Sequence, residues 1–274
     1  MTTEKSNIAH FIYSCMIIDV NNKYFCYFLG IMWADGYLYS KGKTKYRVEI
    51  TLVEEDLRDI EYIFDKIGDW KKYTRNRKQN NHKIQLNFRV SNKELFNFLI
   101  DNDYLNKSNC EPTKILNMIP NNNTKYFIRG LFDGDGCFYY KNNTRQCIFT
   151  SNYMQSWTYL SDFFKNIKCK HSTGRQQSNT GSRSFIRITS KDIIIFGDYI
   201  YDDFFGLKRK YYKYVDIKNS YNLPKKIRIS KNRKSVCIEG ILYKSITEAS
   251  QLLNINRECL RHRLKSPNYN YRYN

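Results

Sequence analysis

The spacing of apolar residues predicts one amphipathic helix in each half of the chain. The apolar series of the first half recurs about one hundred residues later with the same spacing, as Leu57, Ile60, Ile63, Phe64 and Ile67 and then as Trp157, Leu160, Phe163, Phe164 and Ile167. Positions i, i+3, i+6, i+7 and i+10 lie on one face of an α-helix. Both segments are therefore predicted to be helices that bury one face.

A second pattern, strict alternation, predicts a β-strand over residues 83–90. Apolar residues occupy the even positions and polar residues the odd ones: Ile84, Leu86, Phe88 and Val90 against Lys83, Gln85, Asn87 and Arg89. Successive side chains of a strand point to opposite faces of its sheet, so one face belongs to the core. Shorter strand-like stretches lie at 37–39 and 47–52, and a further helix is predicted to begin near Ser91 or Asn92.

These elements belong to an internal duplication with a period near one hundred residues. The stretch GIMWADG at 30–36 recurs as GLFDGDG at 130–136, and RVSNKEL at 89–95 recurs as RITSKDI at 187–193. Separate stretches that keep one register indicate repeated structure rather than chance. We expect three parts, a first half at 1–120, a second half at 121–222 and a tail at 223–274, with proline-containing linkers between them.

The tail has the pattern of two short helices joined by a three-residue turn at 254–256. Ser245 and Glu248 have the spacing of a capping box at the start of the first helix. The second helix, 257–264, directs Arg257 and Arg261 outward. This pattern predicts a helix-turn-helix that binds DNA, or alternatively a helical hairpin that caps the main domain.

Small residues at corresponding places in the two copies predict a close pair of helices. They stand four positions apart on one helix face, as Gly30 and Ala34 in the first copy and Gly130 and Gly134 in the second. Two such helices approach backbone to backbone because no side chain keeps them apart. The acids that follow, Asp35 and Asp135, are thereby brought together at one end of the pair.

The predicted acid pair is suited to bind a divalent metal ion. Two carboxylates this close repel each other unless a cation lies between them. Oxygen ligands favour Mg²⁺, with Mn²⁺ as the expected substitute, and the carbonyls of Ala34 and Gly134 at the helix ends are further candidate ligands. Such a centre is matched to the hydrolysis of phosphodiesters.

The charge of the chain favours a polyanionic partner. There are 46 Lys and Arg residues against 26 Asp and Glu residues, a net charge of +20, which is typical of nucleic-acid-binding proteins. A lysine bias from an AT-rich genome is the alternative explanation. No two of the eight cysteines form a C-x-x-C pair, so no zinc site is expected. Scattered thiols suggest a reducing intracellular compartment, either a bacterial or phage-infected cytoplasm or an organelle.

Basic and amide side chains along the chain are candidate DNA contacts. The polar face of 83–90 is suited to base edges in a major groove, and a solvated outer face is the alternative. Residues 225–234 are predicted to be a charged linker or arm. The candidates are Arg47, Arg75, Arg77, Lys78, Lys83, Gln85, Asn87, Arg89, Arg145, Arg183, Arg187, Arg228, Arg233, Arg257 and Arg261.

The two acid-and-glycine motifs resemble the LAGLIDADG signature of homing endonucleases in its two-copy, single-chain form. The first copy is FLGIMWADG at 28–36 and the second is IRGLFDGDG at 128–136, and the resemblance covers about residues 20–215. The tail resembles the helix-turn-helix repeats attached to intron-encoded nucleases. The family implies an α+β fold with two pseudo-twofold-related αββαββα halves, each with a saddle-shaped antiparallel sheet that lies on DNA.

The resemblance also implies roles for particular residues. The last acid of each motif, here Asp35 or Asp135, is the metal-binding catalytic residue of the family. Many members place a lysine near each active centre. Position within the repeat indicates Lys93 and Lys191 as these catalytic lysines, just after the last strand of each half.

One position departs from the family pattern. The earlier acid of the motif is Asp133 in the second copy, but the first copy has Trp33 there. That position usually serves structure near the helix end rather than metal binding. The departure therefore concerns local packing, and both catalytic acids remain.

The sequence thus predicts a sequence-specific, Mg²⁺-dependent homing endonuclease of the intron-encoded, mobile-element type. It is expected to act as a monomer and to make a double-strand break in a long DNA target. One alternative is a maturase-like protein that binds intron RNA and assists splicing. Another is a non-cutting DNA-binding regulator in which the tail provides recognition.

Overall fold

The computed structural model describes residues 16–42, 45–75, 83–141, 144–152, 154–178, 181–222, 235–267 and 269–273. The chain forms two compact units, Met1–Asn222 and Leu223–Asn274. The first unit contains both copies of the repeat, and the second contains the tail. Within those residue ranges, no helix has the length and apolar character needed to cross a membrane.

The first half of the repeat has the element order αββαββα. Its elements are α1 (Lys23–Asp35), β1 (Gly36–Lys41), β2 (Lys45–Val53), α2 (Glu54–Asp65), β3 (Lys71–Arg75), β4 (Gln85–Val90) and α3 (Lys93–Asp101). The strands form one antiparallel sheet in the order β1-β2-β4-β3. Asn22 and Asn92 cap α1 and α3, because their side-chain oxygens accept backbone N–H groups of the first turn.

The second half repeats this order after a short connecting helix, α4 (Thr113–Met118). Its elements are α5 (Thr124–Asp135), β5 (Gly136–Lys141), β6 (Thr144–Ser151), α6 (Thr158–Asn166), β7 (Ser172–Ser178), β8 (Gly181–Thr189), α7 (Asp192–Ile200) and a final helix, α8 (Lys208–Ser220). The sheet order, β5-β6-β8-β7, is the counterpart of that in the first half. The predicted α+β class with two αββαββα halves is confirmed.

The two halves meet along α1 and α5, whose backbones are in direct contact. A Cβ atom added to Gly30 would lie 2.0 Å from the carbonyl oxygen of Phe127, and one added to Gly130 would lie 2.1 Å from that of Tyr27. These contacts are reciprocal, as expected for equivalent residues on a pseudo-twofold axis. Glycine is required at both positions because any side chain would separate the helices.

The core lies between the helices and the inner faces of the sheets. The alternation predicted for β4 is correct at Leu86 and Phe88, which are buried together with Val48 and Ile50 of β2. Helix α1 is buried at every residue from 25 to 33. A helix that is apolar all round belongs in the interior of a protein, and buried side chains of both halves form one continuous cluster around it.

Several elements differ from the sequence-based expectation. Arg75 lies at the end of β3, a strand that was not predicted because the stretch KKYTR has no alternation of apolar and polar residues. Ile84 precedes β4 and is 53% exposed, so the alternation does not extend to it. Helix α8 buries Lys210, Tyr214 and Ile217 on one face. Because this face includes a lysine, the spacing of apolar residues did not predict the helix.

The second unit contains two helices and a small sheet. The helices are α9 (Ile246–Leu253) and α10 (Arg257–Arg263), and β9 (Val236–Ile238), β10 (Ile241–Tyr243) and β11 (Tyr271–Tyr273) form an antiparallel sheet with β9 in the middle. The Ser245 hydroxyl accepts the N–H of Glu248, as in a capping box, but the Glu248 carboxylate accepts the N–H of Lys244 instead of that of Ser245. The strands have only three residues each, which is too short for an alternation of apolar and polar residues to predict them.

We expect Gly30→Ala to destabilise the first unit strongly, because the new methyl group would meet the Phe127 backbone, which cannot rotate away. The expected loss in the free energy of unfolding is about 3 kcal/mol, at the upper end of overpacking costs. Urea denaturation of the full chain measures it.

Gly68→Ala is the matched control, since its Cβ would meet only the flexible end of the Met16 side chain, with the Cε atom at 2.5 Å. It should cost less than about 1 kcal/mol. Equal stability of the two variants would contradict the close helix contact.

Candidate active site

Each of the two central helices ends at an acid. Asp35 is the last residue of α1 and Asp135 the last of α5, and the glycine that follows each of them begins a strand without an intervening loop. A Cβ atom added to Gly134 would lie 3.1 Å from the Oδ2 atom of Asp35. The Asp35 carboxylate therefore lies against α5, one residue before Asp135, so the structure brings the two predicted acids together.

The surroundings of the acid pair oppose its ionisation. Both side chains reach solvent, yet the packed helix ends limit their hydration, and this burial raises the pKa of Asp35. Burial raises the pKa of Asp135 to about 6, and the negative charge of Asp35 adds to the shift. Like charges within a few ångströms disfavour each other's ionised form. The ionised form of the pair is therefore disfavoured by burial and, at Asp135, by the neighbouring charge.

Two lysines lie beside the acids and occupy equivalent places in the two halves. The Lys107 ammonium donates hydrogen bonds to the carbonyls of Met32 at 3.0 Å, Ala34 at 3.1 Å and Gly36 at 2.7 Å. The Lys210 ammonium donates to the corresponding carbonyl of Phe132 at 3.4 Å and to that of Gly136. Each lysine therefore binds the carbonyl end of one central helix, where the helix dipole favours a cation.

Burial changes the acidity of both lysines. It lowers the pKa of Lys107 to about 8, although Asp35 and Asp135 act in the opposite direction. It also lowers the pKa of Lys210, and the neighbouring Arg209 lowers it further. A lysine with a pKa near neutrality can release and regain a proton at physiological pH.

The prediction for Lys93 and Lys191 is not supported by their placement. Lys93 is the exposed first residue of α3, and Lys191 is the exposed residue that precedes α7. The strand register gives the reason. Gly36 lies level with Ile50 and Phe88, so β4 runs away from Asp35 before it reaches Lys93, and β8 runs away from Asp135 in the same manner.

Lys107 and Lys210 were missed because they do not keep the register of the repeat. Lys107 follows the end of α3 by six residues, whereas Lys210 follows the end of α7 by ten. Four additional residues in the second half, including Gly206 in a positive-φ conformation, shift the equivalent lysine. A search that allowed unequal loops would have aligned the two.

The position of the earlier acid in the motif holds a tryptophan in the first half and an aspartate in the second. Asp133 is fully buried and accepts hydrogen bonds from the Tyr27 hydroxyl at 2.7 Å, the Tyr201 hydroxyl at 3.2 Å and the Leu207 N–H at 2.9 Å. Its pKa is raised to about 6 by burial, against the effect of these donors. Trp33 packs edge-on against Tyr104, with ring centroids 5.0 Å apart. Asp133 thus fixes its helix end through hydrogen bonds, whereas Trp33 does so through ring packing.

The surroundings of the two acids also differ. Arg209 forms a bidentate ion pair with the buried Asp56, at 2.6 and 2.8 Å, and its positive charge reaches Asp35. The counterpart of Asp56 in the second half is Ser156. On that side a cavity of about 530 Å³ has Lys107 and Asp135 in its wall.

The donor atoms at the helix ends fit a hard divalent cation. In the part of the chain that the structure describes, no three His, Cys, Asp or Glu side chains cluster in a way that could hold a metal. A cation here would use the two carboxylates and backbone carbonyls, which are the oxygen donors that Mg²⁺ prefers. The Ala34 carbonyl already accepts the Lys107 ammonium with one lone pair.

The predicted DNA contacts of the first sheet lie together on its outer face. Arg47 and Arg89 are half-buried there, and Gln85 is on the same face farther along the sheet, opposite Val53. Asn87 is buried, and its amide donates to Glu49 at 3.1 Å and to Thr51 at 3.0 Å, so it is not a free contact. Lys83 is exposed before β4 and pairs with Glu55 at 2.6 Å.

In the second sheet, Arg183 and Arg187 share the outer face of β8, whereas Arg145 does not. Arg145 is on the same face of β6 as the buried Cys147, and it donates to the hydroxyl and carbonyl oxygens of Ser220 at 2.6 and 2.9 Å. Arg145 therefore holds the end of α8 against the sheet, and this placement does not support the prediction that it contacts DNA.

The remaining candidates lie in the tail or outside the described residues. Arg77, Lys78, Arg228 and Arg233 fall outside them. Arg257 and Arg261 are exposed on α10, where Arg261 forms an ion pair with Glu258.

Solved structures and a family model show what the chain is similar to. The homing endonuclease I-WcaI bound to its DNA recognition sequence gives a TM-score of 0.53 at 16% identity, over 72% of this chain and 88% of that chain. I-DmoI in complex with DNA and Mn gives 0.48 at 18% identity, over 66% and 97%. The LAGLIDADG meganuclease I-AabMI bound to uncleaved DNA gives 0.47 at 15% identity, over 73% and 91%.

Residues 224–273 match the family model described as the DNA-binding domain of intron-encoded endonuclease 1. No curated protein sequence matches the chain. The likeness to I-WcaI shows that this chain has a homing-endonuclease fold. The fold implied by the LAGLIDADG resemblance is therefore confirmed.

We expect Asp135→Asn to stabilise the metal-free protein at pH 7.5 but not at pH 4.5. The folded-state pKa of Asp135, about 6, exceeds the ordinary value near 4, so the folded protein favours the protonated form and loses stability as pH rises through this window. The gain at pH 7.5 should stay below about 1 kcal/mol, because the side chain is solvent-screened. Urea denaturation in EDTA measures it.

Asp65→Asn is the matched control, because Asp65 is the exposed last residue of α2. It removes an acid from the same helix position away from the acid pair. If both substitutions changed stability alike at the two pH values, the raised pKa of Asp135 would be refuted.

Proposed function

We propose that the protein is a sequence-specific, Mg²⁺-dependent DNA endonuclease that makes a double-strand break in a long target site. The observation that carries this proposal is the convergence of Asp35 and Asp135 at the end of the apposed helices, with one lysine beside each helix end. One acid and one lysine come from each half. The arrangement therefore offers one reaction centre to each strand of a duplex, whose strands are related by a local dyad.

Asp35 and Asp135 would hold the metal ion, together with the carbonyl oxygens of Ala34 and Gly134. The mutual repulsion of the acids supports this assignment, because a cation between them would remove it. A bound divalent cation supplies an activated water and neutralises charge on the scissile phosphate. Mn²⁺ is the proposed substitute, since it favours the same oxygen ligands.

Lys107 and Lys210 would act on protons and on phosphate charge. Both ammonium groups are fixed by helix-end carbonyls beside the acids, so their positive charge would lie close to a phosphate bound there. The lowered pKa of Lys107, about 8, lets this amine accept a proton from the attacking water and return it. In the protonated form, either lysine offsets charge that develops on the phosphate.

Duplex DNA is the proposed substrate of both units. I-WcaI, which has a similar fold, is described as bound to its DNA recognition sequence. The net charge of +20 and the arginines on the outer sheet faces favour a polyanion. The match of residues 224–273 to a DNA-binding domain supports a second contact that lengthens the target.

The proposal is tested by cleavage of sites selected from a random duplex library in Mg²⁺. Asp35→Asn and Asp135→Asn should each lower double-strand cleavage at least about 100-fold, because each removes a metal-binding carboxylate. Lys107→Met and Lys210→Met should lower it about 100-fold through the loss of a proton carrier. Undiminished cutting by both aspartate variants would end the proposal.

Lys93→Met and Lys191→Met are the matched controls, and they should cut within about threefold of the wild type, as for other exposed positions. Thermal denaturation and DNA binding in Ca²⁺ separate loss of chemistry from loss of folding. A wild-type protein that prefers structured intron RNA to every duplex would favour the maturase alternative. Specific duplex binding without cutting would favour the regulator.

A further inference from the structure

The outer face of the first sheet carries a compact arginine cluster that has no counterpart among the described residues of the second sheet. Glu49 lies at the centre of this cluster and is only 8% exposed. It forms ion pairs with Arg47 on its own strand and with Arg89, directly opposite on β4, at 2.9 Å. Asn87 donates a further hydrogen bond to Glu49 at 3.1 Å.

Each arginine is also stacked on a tyrosine. The Arg47 guanidinium lies 4.6 Å from the ring centre of Tyr39, and the Arg89 guanidinium lies 4.7 Å from that of Tyr73. In both arginines, the Nε atom is the one that forms the ion pair with the Glu49 carboxylate. Among the residues that the structure describes, none forms a hydrogen bond with the terminal Nη atoms of either side chain. Two planar donor groups are thus held in place with their tips available.

We propose that Arg47 and Arg89, oriented together by Glu49, read two guanines in one half of the DNA target. This inference rests on the proposed function. The N–H donors of an arginine match O6 and N7 of guanine in the major groove. Stacking and a shared carboxylate remove much of the rotational freedom that each long side chain would otherwise lose on binding.

The position of Glu49 favours bases over phosphates as the partners of this cluster. Strands β2 and β4 are the two middle strands of the sheet, so the cluster lies at its centre rather than at an edge. A fixed carboxylate between the two arginines would repel a phosphate. It is compatible with a base edge, because a carboxylate can accept the N4 amino group of cytosine in the same G·C pair.

In the described strands of the second sheet, no carboxylate lies between two arginines in this way. Because Ile50 and Phe149 pair with the equivalent glycines, the counterparts of Arg47, Glu49 and Arg89 are Gln146, Ile148 and Arg187. One arginine remains there without an acid to orient it. The cluster therefore predicts that the two halves of the DNA target differ in base preference, because the pair of oriented arginines contacts one half only.

The test is a binding selection with the full chain and a random duplex library in Ca²⁺, followed by sequencing. Sites selected by the wild-type protein should contain two G·C pairs whose guanine preference depends on the cluster residues. Arg47→Lys and Arg89→Lys should each reduce the guanine preference at one of these pairs by about tenfold or more, with other positions unchanged. Glu49→Gln should weaken the guanine preference at both base pairs.

Lysine keeps the positive charge, so a phosphate contact would survive these substitutions whereas bidentate base recognition would not. Arg183→Lys, on the outer face of β8, is the matched control and should leave the two positions unchanged. A specific site that none of the cluster variants alters at any single position would overturn this inference alone. A wild-type chain that selects no duplex site would overturn the proposed function with it.

Discussion

The structure depends on a backbone-to-backbone contact between two helices at the centre of one unit. Gly30 and Gly130 allow α1 and α5 to approach until a single methyl group would collide with a facing carbonyl. This approach fixes everything that follows each helix. Because Gly36 and Gly136 begin strands directly, the helix pair also sets the position of both sheets. One constraint thus places the acids and the outer faces that we propose contact DNA.

The same constraint creates an electrostatic problem that the protein solves only in part. Bringing Asp35 beside Asp135 at the packed helix ends disfavours the ionised pair, because burial raises the pKa of both carboxyls and the charge of Asp35 adds to the shift of Asp135. Lys107 and Lys210 relieve this, but their own burial lowers their pKa. The result is a cluster of carboxyl and ammonium groups whose pKa values are shifted by burial. Shifted pKa values of this kind are typical of functional sites, and the metal binding that we propose would stabilise the ionised acids.

The sequence predicted the parts of the fold that follow from periodicity. Spacing identified α2 and α6, alternation identified the inner face at Leu86 and Phe88, and the repeated glycines identified the helix contact. It failed where loops of unequal length break the register, as at Lys107 and Lys210. The placement of Arg145 also does not support its prediction as a DNA contact, and alternation with Cys147 and Phe149 already puts it on the inner face. The hydrogen bond between the buried Asn87 and Glu49 could not be predicted, because a single sequence does not show which residues pair across strands.

The most direct measurement of the central claim is a crystal structure of the protein grown with Mn²⁺, using anomalous scattering to locate the ion. The account predicts an anomalous peak between the carboxylates of Asp35 and Asp135, at about 2 Å from an oxygen of each, as is usual for divalent ions of this size. A structure that places these two carboxylates on different sides of the molecule, or an ion bound elsewhere with the pair left apart, would contradict it.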